Sequence, residues 1–528
     1  MSEAWHRRSP EARADQDPLF VPPAEPTHQQ SPDDESLASA EMVTPDAIPV
    51  PAPVEAGRSG MTTSPPRRPG LSRDPEIVSR GKRHWSMRLQ SASGASYFRA
   101  IVVSSVLYVS LPSFVDIITA GRLQPTEYQI GGIGTSAFGH SLDLGLRYLT
   151  ILLGVFTFSL RVSHRKSSPS LLFLYLSFFV LVQASLIDNG ASPLPRTPVQ
   201  IWAALGLGIW AAAPDLRELR IIGECAIVVA VVALVFALIS SKAWMYQSLI
   251  SPGQSKALVG KRLLAGPFGQ DNQLGMFMAG GLPFVWLIDK KKIRRFGVLL
   301  VATALLLSGS RTSMIAVGVM ALVVLLIRAA RTRGSQVVAV WVAIAIVVGI
   351  VVILPVTTSD PAAYSDRGQI WIYSRIVWPQ NWVFGLSPRA YTIDTPLTAL
   401  IGGVHGHGHN TFVTLMTATG VLGVSLFALI FIVAVVKSTG ALGVTAVPAA
   451  FMVLLSTISI AETPLRVDAF DGQAATLWIG LIAILLFYTR SGGSSDAALT
   501  SNPPLPRARS DGHFVRARPS GAKAPDRQ

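Results

Sequence analysis

The middle of the chain alternates between apolar runs of membrane-spanning length and short polar connections. An α-helix rises about 1.5 Å per residue, so about 20 apolar residues cross a hydrocarbon core about 30 Å thick. Backbone N–H and C=O groups find no water partner in lipid, so each run is predicted to be helical. The runs lie near residues 99–119, 143–161, 170–187, 198–213, 221–239, 272–288, 296–309, 312–329, 336–354, 410–436, 443–461 and 474–489. The pattern predicts an all-α integral membrane protein with about twelve transmembrane helices.

The two ends of the chain lack this pattern. Residues 1–95 are rich in Pro, Ser, Glu, Asp and Arg and poor in aromatic side chains, and residues 491–528 are similar. Segments of this composition cannot bury enough apolar surface to offset the entropy lost on folding. We therefore expect two disordered tails on either side of a polytopic membrane domain over residues 99–489.

Composition and charge support a membrane location. The 528-residue chain is 50% hydrophobic and only 14% charged, with a mean hydropathy of +0.43, whereas soluble proteins carry about 25% charged residues. The net charge of +14 comes from Lys and Arg in the tails and in short connections. The positive-inside rule explains this distribution without a nucleic-acid partner. It predicts a multi-pass protein of the cell inner or plasma membrane with both termini in the cytoplasm.

Two polar segments on the predicted extracytoplasmic side are longer than the other connections, roughly 240–271 and 355–409. Long loops in compact domains are commonly functional or disordered. The second, just before the tenth predicted helix, contains six Trp and Tyr residues, which a disordered loop would lack. We expect a folded loop with a short amphipathic helix over residues 367–378, lying along the membrane surface.

Three of the arginines on the predicted extracytoplasmic side are candidate anion-binding residues. Arg262 precedes the sixth predicted helix, Arg311 lies between the seventh and eighth, and Arg367 lies in the 355–409 loop. An Arg close to the hydrocarbon is costly unless it faces a cavity or a partner, and its planar guanidinium suits an anionic group. The alternative for Arg262 and Arg311 is a side chain that snorkels to lipid phosphates. For Arg367 it is a solvated residue paired with Asp360, Asp366 or Asp394.

The segment His405-Gly406-His407-Gly408-His409-Asn410 ends the same loop. Three imidazoles on a flexible loop can wrap a metal ion. No carboxylate adjoins them in the sequence, however, and the flanking glycines give no rigid support, so we predict no metal site. His409 is held at the membrane boundary by Asn410 and by the helix that follows, which suits a general base. The alternative is a helix-start histidine without a task, and the repeat leaves open which of the three histidines acts.

Two classes of membrane protein fit this number of helices. A transporter is expected to have internal repeats, broken helices and charges near the bilayer midplane. Here the candidate charges cluster at one boundary and no repeat is visible, which favours an enzyme. A transporter or flippase in polysaccharide export is the alternative.

Four stretches of the chain resemble the O-antigen ligase and O-antigen polymerase superfamily of bacterial membrane glycan transferases. Arg262, followed by Gly266-Pro267-Phe268 and then Asn272, resembles the family's Arg-Gly-Phe-Asn stretch, and Ser308 to Ser313 resembles its Ser-Arg segment. Arg367, Trp371, Pro379 and Gly385 resemble its large-loop pattern. His409-Asn410 with Gly420 and Gly423 resembles its His-Asn segment. The likeness covers roughly residues 200–435, while the His405 and His407 pair departs from the family pattern.

The resemblance implies a fold related to the GT-C glycosyltransferases and a polyprenyl diphosphate-linked oligosaccharide as donor, on the extracytoplasmic face. Arg262 and Arg311 would bind the diphosphate, with Arg367 as a third candidate, and His409 would deprotonate or orient the acceptor hydroxyl. Asn272 and Asn410 would support these residues. The implied reaction inverts the anomeric carbon and uses no metal and no cofactor. The acceptor would be a lipid or a glycan, and ligase, polymerase and protein-directed oligosaccharyltransferase stay open.

Overall fold

The computed structural model describes residues 93–123, 132–164, 168–189, 199–246, 256–257, 262–391, 395–401 and 406–487. The predicted tails, 1–95 and 491–528, lie outside the described residues except for residues 93–95. His405 and Asp394 also lie outside them.

Helices dominate the described residues, and one overlaps each of the predicted apolar runs. The helices are α1 (Gly94–Thr119), α2 (Ala137–Arg161), α3 (Pro169–Asp188), α4 (Val199–Ala212), α5 (Arg220–Ile239), α6 (Asp271–Val285), α7 (Lys291–Ser308), α8 (Arg311–Ala329), α9 (Arg333–Thr357), α10 (Ala363–Val377), α11 (Pro396–Ile401), α12 (Thr411–Gly440), α13 (Val447–Ile458) and α14 (Gly472–Leu486). Only α10 and α11 fall in the large loop rather than in a predicted run.

Among the described residues, 7 helices are long and apolar enough to cross a membrane. These are α1, α2, α3, α5, α8, α9 and α12. Helices α4, α13 and α14 are apolar but span only 14, 12 and 15 residues, and α7 begins with four basic residues in its first five positions. The chain is thus a polytopic membrane protein, while the count of about twelve crossings and the GT-C-like fold stay predictions.

Two short antiparallel hairpins interrupt the helices. Strand β1 (Arg122–Leu123) pairs with β2 (Gly132–Ile133), and β3 (Trp244–Tyr246) pairs with β4 (Arg262–Leu264). The second hairpin opposes Tyr246 to Arg262. Strands this short carry no period-two pattern that the sequence could reveal, so an all-α prediction misses them.

Helix α6 lies at the centre of the bundle. It packs against α5, α7, α8, α13 and α14, and every residue from Leu274 to Val285 is buried. Its neighbours approach closely at glycines: a Cβ on Gly281 would lie 2.3 Å from the Cβ of Ala226 on α5. By contrast, outer helices expose large apolar side chains, such as Leu152 on α2 and Ile315 on α8, which are 65% and 63% exposed. Such surfaces suit lipid rather than water.

The 355–409 loop is folded around a hydrophobic cluster of its own. Ile370, Trp371, Tyr391, Leu397 and Val413 belong to its buried core. The predicted amphipathic helix is present as α10, but its apolar face packs on protein rather than on the membrane surface, since Trp371 is fully buried. This cluster gives the loop enough apolar burial to hold a fixed shape.

Candidate functional site

A polar cavity of about 370 Å³ lies where α6, α8 and α12 begin and where α10 turns inward. We call this end of the helices the site end. The cavity is lined by Lys256, Asn272, Arg311, Thr312, Ser365, Asp366, Arg367, Ile370, His409 and Glu462. It therefore brings together Asn272, Arg311, Arg367 and His409, which the sequence singled out.

The lining residues at the starts of α6 and α8 lie together because α6 packs closely against the turn that leads into α8. A Cβ on Gly275 would lie 2.3 Å from the Cβ of Ser310 and 2.8 Å from Oγ of Ser308, so only glycine fits there. Helix α7 ends at Gly309, whose φ of 67° closes a tight turn into α8. The turn places Arg311 at the first position of α8, on the cavity that Asn272 also lines.

Arg367 enters the cavity through an unusual turn. Tyr364, Ser365 and Asp366 all have positive φ, of 57°, 59° and 65°. Three consecutive left-handed residues without glycine are costly, and such conformations persist where the surrounding structure holds them. Regular helix then starts at Arg367, whose Nη2 donates to Oε1 of Glu462 at 2.7 Å.

Glu462 links the arginine to the candidate base. Its Oε2 lies 3.5 Å from Nδ1 of His409, longer than an ordinary hydrogen bond, so the contact is mainly electrostatic. The carboxylate side chain is only 4% exposed. Burial alone would raise the pKa of Glu462, but its interaction with His409 and the charges of Arg367 and Lys256 outweigh burial and hold that pKa below its ordinary value. Glu462 is thus an ionised buried carboxylate with two partners.

Asn410 fixes the position of His409. It is fully buried and caps α12, its Oδ1 accepting the Val413 N–H at 3.0 Å. Its Nδ2 donates to the carbonyl of Val351 at 3.0 Å and to that of Ile460 at 2.9 Å. The Val351 carbonyl lacks its usual helical donor because the residue four positions on, Pro355, has no N–H. One amide thereby ties together α9, α12 and the segment after α13.

The backbone around His409 is constrained from both sides. His409 itself has a φ of 49°, a left-handed conformation that non-glycine residues rarely adopt. Just before it, Gly408 donates its N–H to Thr414 Oγ1 at 3.0 Å and accepts from Trp371 Nε1 at 2.9 Å. The α10 helix therefore holds the histidine loop in place through the buried indole.

The other predicted residues are placed differently. Arg262 does not line the cavity; it lies on β4, its guanidinium 5.2 Å from the ring centre of Tyr246. Its neighbour Leu263 contacts the α7–α8 turn at Gly309, so the hairpin borders the site. The role of Arg262 in diphosphate binding stays a prediction. Likewise, Arg367 pairs with Glu462 rather than with Asp360 or Asp366, while Asp394 lies outside the described residues.

His407 supports a second interpretation of the histidine loop. Its Nδ1 accepts the backbone N–H of His409 at 3.1 Å, and the two rings lie 4.2 Å apart. Ligand atoms of His407, His409 and Glu462 lie within 4.8 Å of one another, close enough to hold a metal ion. No carboxylate adjoins the histidines along the sequence, but the fold brings Glu462 next to them, so the prediction that they lack a neighbouring carboxylate is wrong.

Two charged lining residues were not singled out from the sequence. Glu462 and Lys256 come from segments far from the histidines along the chain. A weak signal exists for Glu462, because it is the first acid after the eleventh predicted helix, at the same predicted boundary as Arg311 and His409. Lys256 has no comparable signal.

The fold and this cavity define a polytopic membrane protein with a buried acid, a partly exposed histidine next to it and a group of cations. Residues 296–428 match a protein family described as O-antigen ligase. This match supports the O-antigen ligase and polymerase superfamily that the motifs predict. The match contains Arg311, Arg367 and His409, whereas Arg262 and Asn272 precede it. A search of curated proteins found no match.

Proposed function

We propose that the protein transfers a glycan from a polyprenyl diphosphate carrier to an acceptor hydroxyl, on the extracytoplasmic face of the inner or plasma membrane, with both termini in the cytoplasm. The family match over residues 296–428 supports O-antigen ligase-like activity in the broad sense. The acceptor is a lipid or a glycan. The finer proposal rests on the chemistry of the cavity at the site end.

The observation that carries the proposal is the combination of three cations with an ionised acid–histidine pair. Lys256, Arg311 and Arg367 line the same cavity as His409 and Glu462. Cations fixed in a partly buried cavity stabilise a diphosphate leaving group more strongly than cations in water would. Arginine suits this task because it has five N–H donors, so Arg367 can hold Glu462 and still bind an anion.

The reaction follows from this placement. We propose that His409 carries its proton on Nδ1, which lies 3.5 Å from the Glu462 carboxylate, and its lone pair on Nε2. The acceptor hydroxyl gives its proton to Nε2 as its oxygen bonds to the anomeric carbon, opposite the leaving group. The bond from that carbon to the diphosphate oxygen breaks, and its electron pair leaves with the diphosphate. Arg311 and Arg367 offset the resulting charge, and the anomeric configuration inverts.

A carrier lipid has a matching surface nearby. An apolar groove of about 290 Å³ lies between α9, α12 and α13. It begins at Thr411 and Ser459, which are close in sequence to His409 and Glu462, and continues along Leu415, Val424 and Ile432. A polyprenyl chain lying here would place its diphosphate near the cations.

We further propose that no metal ion or other cofactor takes part. The ligand set of His407, His409 and Glu462 is close enough for a cation, but Arg367 already lies 2.7 Å from the carboxylate. A divalent ion would compete with this guanidinium for the same charge. Nδ1 of His407 is also engaged by a backbone N–H.

The test is His409→Ala in a transfer assay with purified protein in nanodiscs and polyprenyl diphosphate-linked glycan. We expect transfer to fall by about 10²- to 10⁴-fold, since a positioned base contributes that much, with normal folding and yield. His405→Ala is the matched control and should keep activity. The same assay in EDTA should run at the same rate.

Full activity of His409→Ala would show that the base is wrongly assigned. Loss in EDTA, restored by a divalent ion and abolished in His407→Ala, would instead establish a metal mechanism. The family match does not favour the transporter alternative, and a purified protein that transfers glycan without flipping its carrier would exclude it.

A further inference from the structure

A second cavity of about 340 Å³ lies beside the first turn of α6. We call it the second cavity. The side chains that matter for its chemistry are Tyr108 on α1, Asp143 on α2, Gln270 and Gln273 at the start of α6, and Phe470 and Asp471 before α14. None of these residues belongs to the lining of the cavity at His409.

Polar groups in the second cavity have unused hydrogen-bonding capacity. The side chains of Asp143, Gln270 and Gln273 make no hydrogen bond with any described residue. Asp143 is electrostatically coupled to Arg147 and His140 on its own helix. A carboxylate within a helix of membrane-spanning length is costly unless it faces a polar cavity or ligand. Asp471 differs, since it caps α14 through the Ala474 N–H and pairs with Arg466.

An aromatic surface adjoins these groups. The rings of Tyr108 and Phe470 stack with centroids 5.6 Å apart and an interplanar angle of 25°. Sugars present both kinds of surface at once: apolar C–H faces that pack on aromatic rings, and hydroxyls that pair with amides and carboxylates. A specific small-molecule site is usually a concave, mostly apolar pocket that carries a few well-placed polar groups.

Charge separates the two cavities. Among the described residues, no lysine or arginine lines the second cavity, whose lining includes Asp143 and Asp471, whereas Lys256, Arg311 and Arg367 line the first. Asp143 and Asp471 interact with Arg147 and Arg466, so the second cavity is close to neutral, and a diphosphate is attracted more strongly to the first. An uncharged polyhydroxylated ligand fits the second.

The two cavities share one turn of helix. Asn272 lines the first, and the adjacent Gln273 lines the second, together with Gln270 one turn earlier. Consecutive Cα atoms are about 3.8 Å apart, so the two cavities border the same turn of α6.

We propose that the second cavity binds a neutral saccharide segment of the glycan substrates; this rests on the transfer reaction proposed above. Held there, the segment fixes the position of the reacting sugar relative to His409, and binding energy from a remote unit lowers the barrier at the reacting carbon. The saccharide is part of the donor glycan or part of a glycan acceptor.

The experiment uses single cysteines as reporters. In a Cys225→Ala background, Ser113→Cys places a thiol in the second cavity and Ser365→Cys places one in the first. Labelling rates with a small water-soluble methanethiosulfonate are measured with two probes. One is inorganic pyrophosphate, and the other is the diphosphate-free oligosaccharide released by mild acid from the cell's own surface glycan.

We expect the oligosaccharide to slow labelling at residue 113 at least threefold and pyrophosphate to slow labelling only at residue 365. Protection at 365 by pyrophosphate without protection at 113 by the oligosaccharide would overturn the saccharide site and leave the proposed transfer reaction standing. Protection at 113 without protection at 365 would count against the transfer reaction alone. Protection at 113 by calcium but not by sugar would mark a cation site and overturn the proposal.

Steady-state kinetics identifies the source of the saccharide. Gln273→Ala should raise the KM for one glycan substrate about 2- to 10-fold, the loss of one hydrogen bond, with kcat within twofold. Gln336→Ala, at the start of α9, is the matched control and should change neither. A rise in donor KM assigns the site to the donor and a rise in acceptor KM to the acceptor, while unchanged values for both would contradict the proposal.

Discussion

At the scale of single residues, Glu462 determines the electrostatics of the site. It is buried, ionised and in contact with both Arg367 and His409. Removing one partner of a buried ion pair leaves the other charge without compensation, which costs more than the pair contributes. Glu462 therefore affects stability and reactivity together.

Glu462→Gln should destabilise the protein by about 3 kcal/mol near neutral pH, because the Arg367 guanidinium loses its carboxylate. The pKa of Glu462 in the folded protein is below its ordinary value of 4.5. Its contribution is therefore fully present above about pH 4.5 and is lost as the pH falls further. Thermal unfolding followed by tryptophan fluorescence from pH 7 to 3 should show a shallower decline for the variant than for the wild type.

Glu224→Gln is the control for this prediction. Glu224 is 40% exposed and lies 3.6 Å from Arg220, so its replacement should change the melting temperature little. Equal pH dependence in Glu462→Gln and the wild type would mean that Glu462 is not the group that titrates.

Arg311 and Arg262 should contribute differently to the transfer rate, according to their positions. Arg311→Ala should lower kcat by about 10²- to 10³-fold, the effect of removing one charge-stabilising donor, because Arg311 lines the cavity. Arg262→Ala should cost less, since Arg262 lies outside the lining on β4. Transfer rates at saturating donor measure both, and a larger loss for Arg262→Ala would reverse the assignment.

At the scale of elements, the kink of α12 couples the large loop to the membrane helices. Gly420 has a φ of 62° and a ψ of −166°, a combination open essentially only to glycine. A Cβ on Gly420 would lie 2.3 Å from the Val383 carbonyl oxygen, and one on Gly385 would lie 2.6 Å from the Gly420 nitrogen. The helix breaks where the loop backbone packs directly on it.

Gly420→Ala should destabilise the protein by at least about 3 kcal/mol, through backbone strain and the clash with Val383. Gly349→Ala in α9 is the matched control, since a Cβ at Gly349 meets nothing within 4 Å. Melting temperature and monodisperse yield in detergent measure both variants. Similar yields for the two would show that α12 does not need its kink.

At the scale of the whole molecule, the residues of the site end come from widely separated parts of the chain. Arg311, Arg367, His409 and Glu462 lie on four different segments and still share one cavity. This agreement supports a single side of the membrane for all four, as the alternation of helices predicts.

Labelling in right-side-out spheroplasts tests the sidedness. In a Cys225→Ala background, Ser365→Cys should react with a membrane-impermeant maleimide in intact spheroplasts, because α10 is predicted to be extracytoplasmic. Ser335→Cys, exposed at the start of α9, should react only after lysis. Reaction of Ser335→Cys alone in intact spheroplasts would invert the topology.

Much of the fold could be predicted because lipid enforces helices, and hydropathy marks each of them. Arg311, Arg367 and His409 could be found because ionisable groups near hydrocarbon are energetically costly and usually have a function. Glu462 could not be assigned, because its contacts depend on how α13 and α14 pack against α12. The burial of Trp371 was missed for a related reason: its partner surface is the histidine loop itself, which no local pattern shows.

The proline in α9 has a consequence for Asn410. Because Pro355 leaves the Val351 carbonyl without its own helical donor, Asn410 supplies that donor from another helix. The two residues are thus thermodynamically linked, although neither touches the other's side chain in the described hydrogen bonds. A backbone N–H at position 355 could satisfy the Val351 carbonyl, and the chain would then depend less on Asn410. The loss of unfolding free energy on replacing Asn410 therefore includes the cost of the hydrogen bond that Pro355 cannot donate.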